Sequence, residues 1–184
     1  MKKIAVALLM LFKATIGISQ TTVTETAQQI VQLNLTNTIE IAFTSNGSPT
    51  GTTVTLPFTN VNDYANGVES TNQELSVSSN KLFTVTVNTL SPNFSVTNNG
   101  VTIPSNMPVS VLSILIANNN TGGTIGQGFS NANYSSLSST ASNLLTGANN
   151  GYLETFAIKY KATPVFVYPI GVYSTDVVFT ATQQ

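Results

Sequence analysis

The sequence predicts an all-β fold, an antiparallel β-sandwich of roughly eight short strands. Three observations favour it: apolar and polar residues alternate in many short segments, turn-forming residues recur every eight to twelve positions, and no segment shows a long helical pattern. The composition agrees, because the chain contains 28 Thr and 21 Asn, and Thr favours strands whereas Asn favours turns. We therefore expect one sandwich domain preceded by a short extension.

The first predicted element is an export signal over residues 1–19. Lys2 and Lys3 provide its basic start, residues 4–12 are uninterruptedly apolar, and small residues precede the expected cleavage before Gln20. This apolar run is too short to cross a bilayer as a helix. We therefore expect a secreted, cell-surface protein with no membrane span in the mature chain.

The clearest strand pattern covers residues 31–43. Apolar residues occupy every second position apart from Asn37: Val31, Leu33, Leu35, Ile39, Ile41 and Phe43. At about 3.3 Å per residue the segment would span about 43 Å, much longer than a usual strand of about five or six residues. It predicts two strands broken near Thr36, one strand whose ends serve different sheets, or a strand whose first half pairs with a neighbouring molecule.

Shorter elements follow in the rest of the chain. Residues 54–58 predict a short or edge strand, because Pro57 cannot donate a backbone hydrogen bond. Residues 60–72 are predicted to be a loop, and residues 137–145 could hold a helical turn. The segment 107–117 is apolar on both faces and predicts a central strand or one covered by another element. Further strands are expected around Leu75, Phe83, Phe94, Ile158 and Phe179.

The side chains leave little catalytic chemistry. The absence of His and Cys excludes imidazole catalysis, Ser–His and Cys–His nucleophiles and ordinary zinc sites. A carboxylate pair of the glycosidase type is the remaining arrangement, but Glu40, Glu154 and Asp176 fall at outward-facing strand positions. Asp63 suits a turn capped by hydrogen bonds better than a calcium loop. We predict no catalytic residue, no metal and no cofactor.

The charges also limit the partners. Without the signal, three lysines oppose seven acids and give a net charge of −4, with no arginine. This balance provides no electrostatic footprint for nucleic acid or anionic lipid. Two tyrosines expected in loops, Tyr64 and Tyr134, could stack on sugars. They support an alternative function as a monomeric cell-surface glycan-binding or adhesion module.

Three segments of the chain resemble a known class of proteins: residues 75–87, residues 158–164 and residues 171–183, the last ending in Val-x-Phe-Thr-Ala-Thr-Gln. They resemble small secreted proteins of Bacteroidetes that look like pilin-type or spore-coat-U-like subunits. The resemblance implies an immunoglobulin-like β-sandwich and a structural role in an extracellular fibre, without catalytic residues.

In the chaperone–usher relatives of that class, an N-terminal extension completes the sheet of the next subunit. The resemblance therefore implies a donor strand in residues 20–30, which could extend to residue 35, and a sandwich over residues 31–184. The expected donor contacts are Val23, Ala27, Val31, Leu33 and Leu35. Self-association into a homopolymer is implied, with a periplasmic chaperone and outer-membrane assembly machinery as further partners.

Overall fold

The computed structural model describes residues 23–45, 48–49 and 53–184. The predicted export signal lies outside these described residues. The chain divides into two units, Met1–Leu35 and Thr36–Gln184. In the first unit, residues 23–35 contain neither helix nor strand, and all of them are exposed. The sandwich described below is the second unit.

Almost all regular elements of the second unit are β-strands. In chain order the elements are β1 Ile39–Ser45, β2 Ser48–Pro49, α1 Val61–Asn66, β3 Val68–Glu69, β4 Gln73–Ser79, β5 Phe83–Thr89, β6 Asn93–Asn98, β7 Val101–Pro108, a 3-10 turn Val109–Val111, β8 Leu112–Asn119, β9 Thr124–Ile125, β10 Ser135–Ser136, β11 Ser142–Ala148, β12 Gly151–Ala162, β13 Val172–Ser174 and β14 Val177–Gln183.

These strands form three sheets. The large sheet has seven strands in the order β10-β8-β12-β4-β1-β2, with β3 also paired to β12. The small sheet has the order β14-β5-β11-β9, and a three-stranded sheet has the order β13-β6-β7. Every described pairing is antiparallel. The predicted all-β antiparallel sandwich is confirmed.

One buried cluster joins the inner faces of the large and small sheets. Burial alternates residue by residue along β5, as the period-two pattern of Phe83, Val85 and Val87 predicts. The largest fully buried side chains of both sheets are Phe83, Phe156, Leu75, Ile114, Ile116, Leu144, Leu145 and Ile158. This continuous apolar layer holds the sandwich together without a disulfide, since the chain has no cysteine.

Only the second half of the predicted long strand is a strand. β1 begins at Ile39, and residues 31–38 are exposed and outside any ladder. The two alternatives that placed residues 31–37 in strands of their own chain are therefore wrong, and pairing with a neighbouring molecule stays a prediction. Alternation reports that a segment suits a sheet, but a strand also needs a hydrogen-bonded neighbour.

Three shorter predictions also need correction. Residues 54–58 are not a strand, although Val54, Leu56 and Phe58 pack against the core. The expected loop at residues 60–72 contains α1 and β3. Asn60 caps α1, and Gly67 at φ 76° ends it in a conformation that suits glycine.

Residues 137–145 contain no helical turn. They lead into β11, where the register shifts between Asn143 and Leu145 in the pairing with β5. Such a bulge turns two consecutive side chains inward, and Leu144 and Leu145 are both fully buried. The apolar spacing that suggested a helical turn in this segment is therefore produced by a bulge in a strand.

The apolar segment at residues 107–117 is divided between two sheets. β7 ends at Pro108, the 3-10 turn follows, and β8 then lies between β10 and β12 in the large sheet. The predicted central position is confirmed for β8, and Pro108 marks the end of the preceding strand.

Leu144→Ala should lower the free energy of unfolding by about 2–5 kcal/mol, because it leaves a cavity in a closed core. The matched control is Leu90→Ala, since Leu144 is 0 % exposed and Leu90 is 68 % exposed. Urea unfolding of both variants measures the difference. Equal losses in the two variants would contradict this description of the core.

Candidate functional site on the open side of the sandwich

Among the described residues, no strand lies between the two sheets on one side of the sandwich. There β14 ends the small sheet and has β5 as its partner along all of its residues. On the facing side, β1 pairs with β4, and its outer edge meets β2 at Thr44 and Ser45 only. Within the described residues, the outer edge of β14 and the outer edge of β1 over residues 39–43 therefore have no ladder.

The side chains next to this opening are less buried than those one strand further in. The inward residues of β4 and β5, such as Val77 and Val85, are fully buried. Their neighbours on the two open strands are only half-buried against the same core: Ile39, Ile41 and Phe43 of β1, and Val177, Phe179 and Ala181 of β14. We call these six residues the open seam. It leaves apolar core surface accessible along one line of the molecule.

Two contacts bridge the seam near its ends. The rings of Phe43 and Phe179 meet edge to face with their centroids 5.7 Å apart. At the other end, Nε2 of Gln183 donates a hydrogen bond to the carbonyl oxygen of Thr38 at 2.7 Å. β1 and β14 thus run side by side, joined by side chains instead of by a backbone ladder.

The other long edges are protected against strand addition. β7, an edge of the three-stranded sheet, carries Pro104 and Pro108. The outer side of β8 is occupied by β10 and by the N–H of Leu137, which donates to the carbonyl of Leu112. β14 has no proline and no charged side chain, and these are the usual protections of an edge strand. In the described structure β14 is a long edge open to another strand.

The base of the N-terminal segment is anchored next to this seam. The Asn80 side chain donates to the carbonyl of Thr36 at 2.8 Å and accepts the N–H of Thr38 at 3.1 Å. The backbone N–H of Asn80 also donates to the carbonyl of Thr38. Because Gln183 binds the same carbonyl, Asn80 and Gln183 fix the point at which the chain enters the sandwich.

The expected donor residues are solvent-exposed in the single chain. Val31, Leu33 and Leu35 are 78, 79 and 88 % exposed, and Val23 and Ala27 are exposed as well. Ile30, on the opposite parity, is also exposed, and sequence reasoning did not include it. Full burial of one Val, Leu or Ile side chain contributes roughly 1.5–3 kcal/mol.

The structure holds the two candidate tyrosines in separate clusters. Tyr64 is half-buried between Phe58, at 5.1 Å between ring centroids, and Phe166, at 4.8 Å. The Tyr134 hydroxyl is buried and has no hydrogen-bond partner among the described residues. Burial, together with the nearby Glu69 carboxylate, raises the pKa of Tyr134 to about 12. Sequence reasoning did not identify Phe166, although it lies in a conspicuous apolar run.

Lys161 lies beside Tyr134 and explains part of this cluster. Its Nζ is 5.7 Å from the centre of the Tyr134 ring and 3.3 Å from Oε1 of Glu69. Lys161 and Glu69 are direct cross-strand partners of β12 and β3. The arrangement stabilises a strand pair modestly, since both side chains are partly solvated.

Two small clefts lie on the described part of the surface. One of about 150 Å³ is lined by Ala42, Thr44, Ser76 and Ser78, and another of about 110 Å³ lies beside Asp176. Binding pockets for small molecules usually measure about 300–1,000 Å³. No group of three metal-ligating side chains occurs among the described residues.

Asp63 caps helix α1, in line with the predicted capped turn. Its carboxylate accepts hydrogen bonds from the backbone N–H of Thr59 at 2.6 Å and of Asn60 at 3.0 Å. The Asn60 side-chain oxygen in turn accepts a hydrogen bond from the backbone N–H of Asp63, which completes a capping box. The backbone N–H of Thr59 is the largest cause that lowers the pKa of Asp63.

A scan of protein-family models and a search of curated proteins find no match to this chain. In the described part of the molecule, no helix has the length and apolar character needed to cross a membrane.

Asp63→Ala should destabilise the domain at neutral pH, and the difference from the wild type should shrink with acidification. A lowered pKa in the folded state contributes stability that is present above the ordinary value of 3.8 and is lost as the pH falls through the lowered value. Thermal unfolding across this pH range measures the effect, with the exposed Glu25→Ala as the control. A difference that stays constant on acidification would contradict the assignment.

Proposed function

We propose that this protein is a non-enzymatic structural subunit of an extracellular, pilus- or fimbria-like fibre. The N-terminal segment of one molecule is added as a strand to the open side of the next molecule. One observation carries the proposal: a single chain exposes both a segment at residues 23–35, whose apolar side chains alternate over residues 31–35, and an unprotected edge, β14, beside a half-buried apolar seam.

The two surfaces are chemically complementary. A strand laid beside β14 would satisfy the free backbone groups of that edge, which gives affinity without side-chain specificity. Val31, Leu33 and Leu35 share one face of such a strand. That face would cover the half-buried side chains of the seam and so fix the register.

The cellular context follows from the same proposal. The N-terminal signal pattern supports export, and the fibre would lie at the cell surface as a homopolymer. A periplasmic chaperone that shields the open seam before assembly and an outer-membrane assembly machinery are the expected partners. Such a role requires neither a cofactor nor a catalytic residue.

Leu33→Asp should abolish polymerisation and leave a folded monomer, because a carboxylate buried in the seam without a partner costs several kcal/mol. Asn34→Asp, on the opposite face of the same segment, is the matched control and should still assemble. Negative-stain microscopy detects the fibres, and circular dichroism checks the fold. Fibres formed by Leu33→Asp, or an unfolded Leu33→Asp chain, would contradict the proposal.

A synthetic peptide of residues 23–35 should bind the Leu33→Asp monomer with one peptide per chain. At a peptide concentration about 100 times the Kd, binding stabilises the monomer by about 2.7 kcal/mol. For a domain of this size the Tm should then rise by roughly 5–10 °C. The same peptide with Leu33→Asp is the control, and an equal shift from both peptides would rule out insertion into the seam.

A further inference from the structure

The free edge of β14 exposes the backbone groups of the same residues whose side chains line the seam. The backbone N–H of Leu90 donates to the carbonyl of Asp176, and that of Gln184 donates to the carbonyl of Leu82. Both pairs continue the register of the ladder between β14 and β5. Because hydrogen-bonded pairs alternate along an antiparallel ladder, the even-numbered residues of β14 are bonded to β5. The N–H and C=O groups of its odd-numbered residues therefore point to the free edge.

Strand β1 has the same arrangement on the other side of the seam. The backbone N–H of Asn80 donates to the carbonyl of Thr38, which continues the register of β1 with β4. The even-numbered residues of β1 are thus bonded to β4, and the groups of Ile39 and Ile41 point to the seam. The two strands run in opposite directions, since Thr38 lies beside Gln183 at one end and the Phe43–Phe179 contact lies towards the other.

The seam and the N-terminal segment have matching lengths of apolar sequence. Three side chains of β14 face the seam and pack against the core: Val177, Phe179 and Ala181. Gln183 follows on the same face. The alternating apolar side chains of the segment are also three, Val31, Leu33 and Leu35, and they lie between Gln29 and Asn37. Opposite residues of a strand pair share a face, so a shift by two residues would place Gln29 or Asn37 on the apolar seam.

The position at which the chain leaves its own sandwich determines the direction of the strand. It leaves at the Thr38 end of the seam, which we call the exit end. From Leu35 to Ile39 the chain spans at most about 14 Å, so Leu35 stays near the exit end of its own molecule. If it lay beside Ala181 of the neighbour, two exit ends would face each other and mutual exchange would close a dimer. An open fibre therefore requires Leu35 to lie beside Val177.

We infer that the donated segment runs antiparallel to β14 of its neighbour and adopts a single register. The opposite pairs in this register, which we call the matched register, are Val31 with Ala181, Leu33 with Phe179, and Leu35 with Val177. The inference rests on the proposed fibre and specifies how its inserted strand is paired. Each of the three β14 residues offers a free N–H and a free C=O, so all three pairs can be hydrogen-bonded on both sides.

The matched register also determines how much of the segment enters the seam. Gln29 lies opposite Gln183 at the exit end, so two amide side chains meet where the apolar seam ends. Glu25, the only acid among residues 23–35, has the same parity but lies beyond this point and stays in water. A carboxylate buried without a partner would be costly. Of the expected donor contacts, Val23 and Ala27 lie outside the seam in this register.

The register can be tested with disulfides, because the chain has no cysteine of its own. On the outward faces of the two strands, Gln32 would lie opposite Thr180 and Asn34 opposite Val178. The even-numbered residues of β14 are bonded to β5, so these are non-hydrogen-bonded pairs with Cα atoms about 4.5 Å apart. That distance falls within the range of about 4.4–6.8 Å that a disulfide requires.

Gln32→Cys with Thr180→Cys, and Asn34→Cys with Val178→Cys, should each yield a ladder of covalent oligomers larger than a dimer. The fibres of the full mature chain are oxidised mildly and run on a non-reducing denaturing gel. The matched controls exchange the partners: Gln32→Cys with Val178→Cys, and Asn34→Cys with Thr180→Cys. Their Cα atoms would be diagonal neighbours about 7–8 Å apart, so these chains should remain monomeric on the gel. Negative-stain microscopy checks that all four variants form fibres.

Other outcomes separate this inference from the proposed function. Ladders from the exchanged pairs instead would mean a shifted or reversed strand, which would overturn the matched register and leave strand addition intact. Covalent dimers without larger oligomers would indicate mutual exchange and contradict both the register and the open fibre. Fibres that none of the four pairs cross-links would overturn pairing with β14. Failure of the residue 23–35 peptide to bind Leu33→Asp would overturn strand addition itself.

Discussion

Backbone N–H and C=O groups at the edge of a β-sheet must meet water or another strand, and this requirement organises the molecule. Most of its edges are short, carry proline or lie under a neighbouring segment. β14 is long and carries neither proline nor charge, and it runs beside the free edge of β1. In the described part of the chain, the sandwich is therefore open along the line between β1 and β14.

The open line also determines where the core is weakest. Val77 and Val85 are fully enclosed, whereas Ile41 and Ala181, one strand further out, are only half-buried. Without disulfides, little besides the Phe43–Phe179 contact and the Gln183 hydrogen bond ties the two sheets together there. Any strand that fills the seam would stabilise the fold by binding its native state. Assembly and folding stability are thus linked in the proposed fibre.

Sequence periodicity predicts the parts of the fold in which a strand has neighbours on both sides. The alternation of β5 and of the second half of β12 appears directly as alternating burial. The same pattern at residues 31–37 predicted strands that the single chain does not form, because alternation does not supply a hydrogen-bonding partner. Alternation also could not predict the bulge in β11. The adjacent Leu144 and Leu145 both face inward because the register shifts there.

The sequence predicted one of the two surfaces that make up the candidate site. Its apolar segment was identified by alternation, but the facing edge was not, although the ending Val-x-Phe-Thr-Ala-Thr-Gln has the same alternation. An edge strand and a central strand differ in what lies beside them, and this depends on the order of strands in the sheets. The surface position of residues 165–170 was missed for a related reason. Residues 165–170 suggest a buried segment by composition, and only the fold places them at the surface.

The entry point gives the proposed fibre its direction. Asn80 and Gln183 bind the backbone of Thr36 and Thr38, so the preceding segment starts at a defined position and at one end of the seam. In the proposed fibre, every donated segment would therefore leave its own sandwich at the same end.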